Sequence, residues 1–441
     1  MYMKDFLTKV LQWKLELLAK LTIRRYEPGV VAVTGSVGKT STKEAIRACL
    51  AGRFRIRAAA KSFNNELGVP LTIVSDATQS GGAWFWIRAM GTAAWNLVVK
   101  HSDYPEALVL EYAIDRPGDM DRLVRIATPD VAVVTAIGDV PVHVEFFAGP
   151  EAVLHEKAKL VKVLTADGFA VLNADDPKVA GVRDLTRAHV VTYGFSEGAD
   201  VRLSNLKNVI TENGDVELRF KLSYRGTVVP VRIPHAVGTA NAYAASAAAA
   251  VGIAFGMNLV EIAEGLEAFA PPAGRFKVLR GVQGITLIDS TYNASPLAME
   301  EALDTLKSLE APRRIAVVGD MLELGKFTLP AHEEAGKRAV KSCDVLITVG
   351  HMGKFIAEAA LAHGMPKGKV HSFASLADVA ACLKETLKPR DLVLFKASQG
   401  VRLERVLKQF LADSASAGDI LVRQDRRWRT TAGLYDEGEL E

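Results

Sequence analysis

Apolar positions recur at helical spacing in the first part of the chain. Phe6, Val10, Trp13, Leu17 and Leu21 are three or four residues apart, which predicts one apolar face on a helix over residues 3–26. The proline and glycine at 28 and 29 end this helix. Short apolar runs then alternate with helical segments, which predicts an α/β fold with a mostly parallel sheet and helices on both faces. The predicted strands here are 30–34, 107–111, 131–135 and 169–173.

The pattern changes in the second half. Residues 199–234 alternate polar and apolar positions around a turn at Asn213, Gly214 and Asp215, which predicts an antiparallel group of strands. An alanine-rich helix is predicted over 236–256, and 271–274, with two prolines and a glycine, is the best candidate linker. A second α/β alternation follows. Its predicted strands are 285–289, 314–319, 345–350 and 392–396.

These changes predict four parts of the chain. An amphipathic N-terminal helix covers 1–28, and a central α/β domain covers 29–272. A C-terminal Rossmann-like α/β domain covers 273–414. A polar and loosely attached tail covers 415–441.

Composition and charge narrow the class of protein. Apolar residues make up 49% and charged residues 24% of the 441, as in soluble globular proteins, and the net charge of +3 gives no reason to expect a nucleic-acid partner. Cys49, Cys343 and Cys382 form no CxxC pair, so neither a disulfide framework nor a zinc site is predicted and a cytoplasmic location is expected. Lysines at 4, 9, 14 and 20 interrupt the apolar runs that a secretory signal needs.

The most informative segment follows the first predicted strand and opens a helix. It consists of Gly35, Ser36, Val37, Gly38, Lys39, Thr40 and Ser41. Glycines let the backbone approach phosphate oxygens, and consecutive N–H groups with a helix N-terminus favour negative charge. Lys39 would reach the β- and γ-phosphates, and Thr40 would ligate Mg²⁺. The central domain is therefore predicted to be a P-loop ATPase domain, with two residues rather than four between the glycines.

Two further side chains follow predicted strands, at the edge where α/β proteins bind ligands. Glu111 ends the strand 107–111 and offers the oxygen ligands that Mg²⁺ prefers. Taken alone, a carboxylate at a strand end is more often a cap or an ion-pair partner, and a lone histidine such as His143 is more often not a ligand. Neither residue identifies a site by itself.

Many separated motifs together resemble the Mur ligases, the ATP-dependent amide ligases of peptidoglycan synthesis. The resemblance covers about residues 29–412 and is strongest for the type that adds D-alanyl-D-alanine to a UDP-muramoyl tripeptide. The motifs that carry it are 34–41, 64–72, Glu111 with 117–119, 143–147 with 156–157, 173–177, Asp289 with 292–296, 319–325 and 396–400.

The resemblance implies two magnesium ions in addition to ATP. Glu111 and His143 would hold magnesium. Lys157 would be carbamylated, which turns a cationic side chain into a carboxylate that ligates the second ion. Asn64 and Asn65 would lie on the substrate side.

The resemblance also implies a reaction. The γ-phosphoryl group passes to a substrate carboxylate, and an amine attacks the resulting acyl phosphate. Arg275 would contact an ATP phosphate from the second domain, while Asp289 and Asn293 would approach the ribose and the reaction centre. Because these parts belong to two domains, closure about residues 271–274 is expected.

The sequence departs from the family pattern in three places. That ligase type carries a separate N-terminal domain for the UDP end of its substrate; here the P-loop starts at residue 34, so we expect that domain to be absent and UDP-sugar recognition stays open. The family segment Gly-x-His-Asn-x-x-Asn has Ala240 and Ala244 at two of its polar positions, so the base contacts must differ and another base stays an alternative. Ser290 replaces a common aspartate next to Asp289.

The chain also contains an apolar insertion at 82–99, too short and too interrupted by Arg88 to predict a transmembrane helix. Trp84, Trp86 and Trp95 lie in it, and Trp13 lies in the N-terminal helix. The favoured interpretation is that the two segments pack on each other and bury the tryptophans. The alternative is that residues 1–26 and 82–99 contact a membrane surface.

Three functions follow as hypotheses. The leading one is a monomeric ligase that joins a nucleotide-sugar peptide, or a related carboxylate, to an amine such as D-alanyl-D-alanine. The second is a Mur-like ligase for another pair, such as a polyglutamate, a cyanophycin-like chain or a lipid-linked precursor. The third is a slow nucleotide-hydrolysing switch, which Glu111, His143 and Lys157 disfavour because a switch has no need of a second metal ion.

Overall fold

The computed structural model describes residues 2–59, 63–77, 81–210 and 216–436. It contains two β-sheets, one of nine and one of six strands, each with helices on both faces. The predicted turn at 213–215 lies outside the described residues. The mixed α/β fold with large, mostly parallel sheets is confirmed.

The first sheet is formed by residues 29–234. Its strands are β1 (Gly29–Thr34), β2 (Ile56–Ala58), β3 (Ala107–Glu111), β4 (Val131–Val134), β5 (Phe169–Asn173), β6 (His189–Gly194), β7 (Val201–Ile210), β8 (Val216–Tyr224) and β9 (Thr227–Pro234). The helices of this part are α1 (Tyr2–Tyr26), α2 (Lys39–Ala51), α3 (Gly68–Val74), α4 (Ala83–Val98), α5 (Asp119–Ile126), α6 (Pro150–Lys162), α7 (Pro177–Ala180), α8 (Gly238–Ala254) and α9 (Leu259–Leu266).

The strand order across this sheet is β2-β3-β1-β4-β5-β6-β7-β8-β9. Neighbouring strands are parallel from β2 to β7, and β8 and β9 continue the sheet as antiparallel strands. The predicted antiparallel group therefore extends the parallel sheet. Because β1 lies between β3 and β4, the carboxyl ends of all three strands meet at one edge, where α/β proteins bind ligands.

The second sheet follows the segment 271–274. Its strands are β10 (Lys277–Arg280), β11 (Thr286–Ser290), β12 (Arg314–Gly319), β13 (Val345–Val349), β14 (Val370–Phe373) and β15 (Leu392–Lys396), in the order β10-β11-β15-β12-β13-β14. The helices of this part are α10 (Pro296–Ser308), α11 (Thr328–Ala339), α12 (Gly353–Ala362), α13 (Leu376–Thr386), α14 (Glu404–Lys408), α15 (Ala417–Ile420) and α16 (Arg426–Arg429). Only β10 is antiparallel to its neighbour.

Burial on both faces explains the continuous apolar runs of the central strands. In β1, Val31 and Val33 pack into the core beneath α2 and α8, while Val30 and Ala32 pack into the core on the opposite face. A strand covered on both sides has no solvent-facing position, so its sequence does not alternate. The apolar run alone was therefore enough to locate these strands.

The N-terminal helix and the 82–99 insertion pack side by side on the first sheet, as expected, but three of their four tryptophans are exposed. Leu15 and Ala19 of the first helix and Ala93 of the second belong to the buried core. Trp13, Trp84 and Trp95 are 63%, 76% and 61% exposed. The expected burial was therefore wrong for these three side chains, which lie on the outer faces of their helices, whereas Trp86 is half-buried against the core. No described helix is long and apolar enough to cross a bilayer.

The tail, expected to be loosely attached, is packed as far as residue 436. Leu421 and Tyr435 are buried, and the backbone N–H of Leu434 donates to the carbonyl of Gly400 at 2.9 Å. Much of the anchoring is polar, because the Arg402 guanidinium donates to the carbonyl of Thr431 at 2.7 Å. The polar composition of this segment therefore gave no indication that it packs against the rest of the protein.

The close packing of α9 on α2 gives a test of the core. A Cβ added at Gly265 would lie 2.6 Å from the carbonyl oxygen of Cys49, which is backbone and cannot rotate away. We expect Gly265→Ala to lower the free energy of unfolding by about 1–3 kcal/mol, measured by chemical denaturation. Gly52→Ala is the matched control, because a Cβ there meets nothing within 4 Å. Equal stability of the two variants would contradict the packing described.

Candidate functional site

The P-loop is held against the neighbouring strand by backbone contacts. Gly35 has φ 144°, and a Cβ there would lie 1.9 Å from Thr135 Oγ1. The N–H groups of Ser36 and Val37 donate to the carbonyl of Ala136 at 2.7 and 3.1 Å. Gly38 has φ 87° and precedes α2. Both glycines therefore take conformations that other residues rarely adopt, and they bring the loop close to the end of β4.

Lys39 folds back over this loop. Its Nζ donates to the carbonyl of Gly35 at 2.8 Å and to that of Ser36 at 3.3 Å. Burial lowers the pKa of Lys39 to about 8, although the nearby charge of Glu111 opposes the shift. The lysine thus lies where a phosphate group would meet the loop.

Glu111 brings Thr40 and Asn64 together at the end of β3. Thr40 Oγ1 donates to Glu111 Oε2 at 2.9 Å, and Asn64 Nδ2 donates to Glu111 Oε1 at 3.1 Å. Burial alone would raise the pKa of Glu111, but the charges of Lys43, Arg275 and Lys39, with the Asn64 hydrogen bond, outweigh it and lower the pKa. Glu111 is therefore a buried, ionised carboxylate beside the P-loop threonine.

Lys157 reaches the same loop from α6. It is 2% exposed, and its Nζ donates to the carbonyl of Gly35 at 3.0 Å. Burial, with the charge of Lys39, holds the pKa of Lys157 well below its usual range. A lysine that the sequence suggests is a surface helix residue is thus buried at the site, where burial favours its neutral form.

His143 lines the cleft but is directed elsewhere. It adopts a left-handed conformation, with φ 65°, and its Nδ1 lies 2.6 Å from Glu323 Oε2. Its Nε2 lies 3.5 Å from Asp115 Oδ1. Among the described residues, no three histidine, cysteine, aspartate or glutamate side chains form a group that could hold a metal ion. The four predicted magnesium ligands are thus gathered only in part, by the contact of Thr40 with Glu111.

Arg275 lies between the linker and β10, the first strand of the second sheet. Its guanidinium lies 4.0 Å from the centre of the Tyr292 ring, a cation–π contact. Asp289 fixes the turn before it by accepting a hydrogen bond from the N–H of Gly274 at 2.9 Å, and it accepts two more from Thr291. Asp289 is 0% exposed, and it supports the loops that carry Arg275 and Tyr292. The sequence led us to expect this carboxylate to approach a ribose, but in this structure it is not accessible to one.

Asn293 lies beside Arg275 and lines the cleft. Its carbonyl accepts a hydrogen bond from Lys396 Nζ at 2.6 Å. Lys396 ends β15, and burial, followed by the charge of Arg275, lowers its pKa to about 7. The motif at 396–400 was noticed in the sequence, but no role was assigned to this lysine.

Several of these side chains line one cleft of about 600 Å³ between the two sheets. Lys39, Asn64 and Glu111 line it from the first sheet, and Arg275 and Asn293 line it from the second. The cleft also includes Asn65, whose side chain accepts the N–H of Gly68 at 2.9 Å at the start of α3. Trp428, Thr431 and Ala432 of the tail form part of its wall, which the sequence did not suggest.

A second cleft of about 480 Å³ lies on the other side of the P-loop. It contains Val37, Gly38 and Thr42, together with Ala240 and Ala244. The two alanines that depart from the family pattern thus lie beside the P-loop. The hydroxyl of Tyr243 donates to Asp175 Oδ2 at 2.8 Å in this cleft, so its polar groups come from other positions.

Lys43 is a second buried lysine that the motif analysis missed. It lies four residues after Lys39 on α2, is 0% exposed, and donates to the carbonyl of Ala59. Residues that are four positions apart on a helix lie on the same face. The spacing of Lys43 from Lys39 was therefore the sequence feature that could have identified it as a site residue.

Comparison with known proteins decides the family. Residues 92–252 match the family model of the Mur ligase middle domain, and residues 274–399 match that of the Mur ligase, glutamate ligase domain. The chain is 31% identical over 406 residues to the UDP-N-acetylmuramoyl-tripeptide–D-alanyl-D-alanine ligase of Bacillus subtilis, covering 91% of this chain and 80% of that protein. The chain belongs to the Mur ligase family. It is an ATP-dependent ligase of the acid–amino acid type.

Solved structures of Mur ligases agree with this fold. The structure of MurF from Acinetobacter baumannii superposes with a TM-score of 0.74 at 25% identity, covering 90% of this chain and 80% of that one. MurF from Thermotoga maritima in complex with ADP gives a TM-score of 0.73 at 28% identity, covering 90% and 82%. The sequence-based identification as a Mur ligase is thus confirmed.

The tail of this Mur ligase is attached next to Arg275 through a buried ion pair. Arg423 Nη1 donates to Glu404 Oε2 at 3.1 Å and to the carbonyl of Thr291 at 3.2 Å. Glu404 is 0% exposed and also accepts from Arg402 Nε at 2.8 Å. The guanidinium of Arg423 lies 5.5 Å from the centre of the Tyr292 ring, on which Arg275 is also stacked.

We expect Arg423→Ala to detach the tail. Removing one partner of a buried ion pair costs about 3–5 kcal/mol, because a buried charge is left incompletely paired. Limited proteolysis with mass spectrometry of the fragments should show new cleavage between residues 415 and 436. Arg429→Ala, at an exposed position of the same tail, should keep the wild-type pattern. Equal protection of both variants would contradict this attachment.

Proposed function

We propose that the protein joins D-alanyl-D-alanine to the terminal carboxyl group of a UDP-N-acetylmuramoyl tripeptide, with hydrolysis of ATP to ADP and phosphate. The proposal rests on the relative from B. subtilis, whose name states this reaction. One structural observation supports it most directly. Lys39 of the P-loop and Arg275 beside the second sheet line the same cleft, so cations from both sheets face the space proposed for the ATP phosphates.

ATP lies with its phosphates on the P-loop. Helix α2 begins at Lys39, so the first N–H groups of the helix have no intrahelical partner and are available to phosphate oxygens. The nucleoside occupies the cleft on the other side of Val37 and Gly38, next to Ala240 and Tyr243. The substrate carboxylate approaches from the larger cleft, past Asn64 and Asn65.

The described residues fit one magnesium ion better than two. Thr40 and Glu111 are in contact and offer hard oxygen ligands beside the P-loop, which suits Mg²⁺. His143 contacts Glu323, and unmodified Lys157 offers no carboxylate. Mg²⁺ held by Thr40 and Glu111 supplies positive charge to the phosphoryl oxygens.

Lys157 is proposed to become a second acidic ligand by reaction with CO₂. The neutral ε-amine attacks the carbon of CO₂, a C–N bond forms, and one proton is released, leaving a carbamate. Burial favours the neutral amine that this step requires. Its contact with the carbonyl of Gly35 places the new oxygens next to the P-loop.

Side chains of the protein then stabilise the negative charge of the phosphoryl group during its transfer. The substrate carboxylate attacks the γ-phosphorus, the bond from that phosphorus to the β–γ bridging oxygen breaks, and ADP is formed. Lys39 and Arg275 stabilise the negative charge on the phosphoryl oxygens. The neutral amine of the second substrate attacks the acyl phosphate carbon, the C–O bond to the phosphate breaks, and phosphate and one proton are released as the amide forms. Parts 29–272 and 273–414 act as the two domains of this site, and closure about 271–274 excludes water. We place the reaction in the cytoplasm and the enzyme as a monomer.

An ADP-release assay tests the reaction. We expect continuous ADP formation only when the UDP-muramoyl tripeptide and D-alanyl-D-alanine are both present, with the amide product seen by mass spectrometry. Lys39→Ala should lower kcat at least about a hundredfold, because it removes a phosphate-stabilising charge. Release of ADP with neither substrate would favour a nucleotide-hydrolysing switch instead. Turnover only with another carboxylate and amine would reassign the substrates.

Chemical rescue tests the carbamate separately. We expect Lys157→Ala to lose most of its activity, because the acidic group is absent, and to regain part of it when acetate or another short carboxylic acid is added. Lys162→Ala, exposed on the same helix, should be fully active and unaffected by acetate. A fully active Lys157→Ala enzyme would disprove the carbamate.

A further inference from the structure

The outer face of α1 carries an apolar stripe that no described residue covers. Trp13, Leu17 and Leu21 are spaced four residues apart, so they lie on one side of the helix, and all three are exposed. The opposite side packs into the core through Leu15 and Ala19. An amphipathic helix normally buries its apolar stripe. This helix has apolar residues on both sides, and only one side is used by the fold.

Helix α4 shows the same arrangement. Trp84, Ile87, Trp95 and Val98 are spaced by three, eight and three residues, which places them on one side of the helix, and all are exposed. Its inner side packs into the core through Ala93. The C-terminal ends of the two helices are joined, because Tyr26 donates its hydroxyl hydrogen to the carbonyl of Asn96 at 2.8 Å. Since both helices pack on the same core, their outer stripes form one outward-facing surface.

The charges around this surface are mostly positive. Seven basic side chains belong to it or flank it: Lys9, Lys14, Lys20, Arg24, Arg25, Arg88 and Lys100. Arg88 is the only charged residue of α4. The acidic side chains described on or just after the two helices are Glu16, Glu27 and Asp103, and Glu16 is paired with Lys20 at 2.8 Å. The surface therefore combines exposed tryptophans with an excess of cations.

We propose that this surface, formed by the outer faces of α1 and α4, docks the protein on an anionic lipid bilayer. Tryptophan rings settle at the interface between headgroups and acyl chains, and lysine and arginine are attracted by anionic headgroups. Both helices lie flat on the protein and neither is long and apolar enough to cross a bilayer, so the contact is with the membrane surface. The charge pattern favours lipid over a second copy of the chain, because two such basic faces would repel each other.

Docking brings the large cleft close to the bilayer. Gln12, next to Trp13 on α1, donates to Glu66 Oε1 at 3.3 Å and accepts from Arg122 Nη2 at 3.3 Å. Glu66 and Arg122 both line the cleft. One helix thus contacts the rim of the cleft with one side and presents the proposed membrane surface with another.

Vesicle flotation of the full chain tests the proposal. We expect the protein to float with vesicles of phosphatidylcholine and phosphatidylglycerol, to float poorly with phosphatidylcholine alone, and to be released by high salt. Trp13→Ser, Trp84→Ser and Trp95→Ser combined should weaken flotation at least about tenfold, as should Lys9→Glu, Lys14→Glu and Arg88→Glu combined. Brominated lipids should quench the tryptophan fluorescence of the wild type.

The control carries the same kind of change away from this surface. Val228→Ser, Val260→Ser and Leu361→Ser combined remove exposed apolar side chains of β9, α9 and α12, and should leave flotation unchanged. ADP release in solution should be unchanged in all the variants, which shows that they are folded. No flotation with anionic vesicles, or equal flotation of the triple tryptophan variant, would overturn the proposal. A dimer in sedimentation equilibrium that the tryptophan changes dissociate would also overturn it, because the surface would then join two copies.

Discussion

Glu111 carries its negative charge in a place where burial alone would favour the neutral acid. The cations of Lys43, Arg275 and Lys39 keep it ionised. Two of these belong to α2 and one to the linker before the second sheet, so the charge balance at one carboxylate depends on elements of both sheets. Lys157 and Lys396 add further buried amines whose pKa values burial lowers. The three cations outnumber the one carboxylate that they surround, and phosphate groups of a nucleotide would supply further negative charge.

The same constraint explains why so much structure supports Arg275. An arginine remains charged, so its position must be fixed by other contacts when it faces a cleft rich in cations. Asp289 holds the turn before it through Gly274, and the Tyr292 ring lies under its guanidinium. Arg423, from the tail, donates to the carbonyls of Thr291 and Tyr292. The tail is thus part of the support of a phosphate-facing arginine, although its sequence is polar and contains no family motif.

Local sequence patterns were sufficient to predict those features of the structure that depend on residues close to each other along the chain. Strands β3, β5, β12 and β15 have the predicted limits, because each is a continuous apolar run between turn-forming residues. The P-loop and Glu111 were located because both follow such runs at the same edge of the sheet. The direction of His143 depends on its left-handed backbone conformation and on Glu323, which is distant in sequence. The attachment of the tail depends on Glu404 in the same way. Single-sequence patterns do not contain such pairings.

The tryptophans of α1 and α4 show that composition can identify an unusual segment without indicating which side of its helix faces the solvent. The sequence marked both segments as unusual, and packing them together was the simpler interpretation. Instead, each helix packs on the core through one side, with Leu15 and Ala19 in α1 and Ala93 in α4, and Trp13, Trp84 and Trp95 lie on the other side. Because α1 is fixed to the core by Leu15 and to the cleft rim by Gln12, its outer face cannot turn inward without breaking both contacts. The exposure of Trp13 is therefore a consequence of how the helix is anchored, and the position of the cleft rim relative to this surface is fixed by the same contacts.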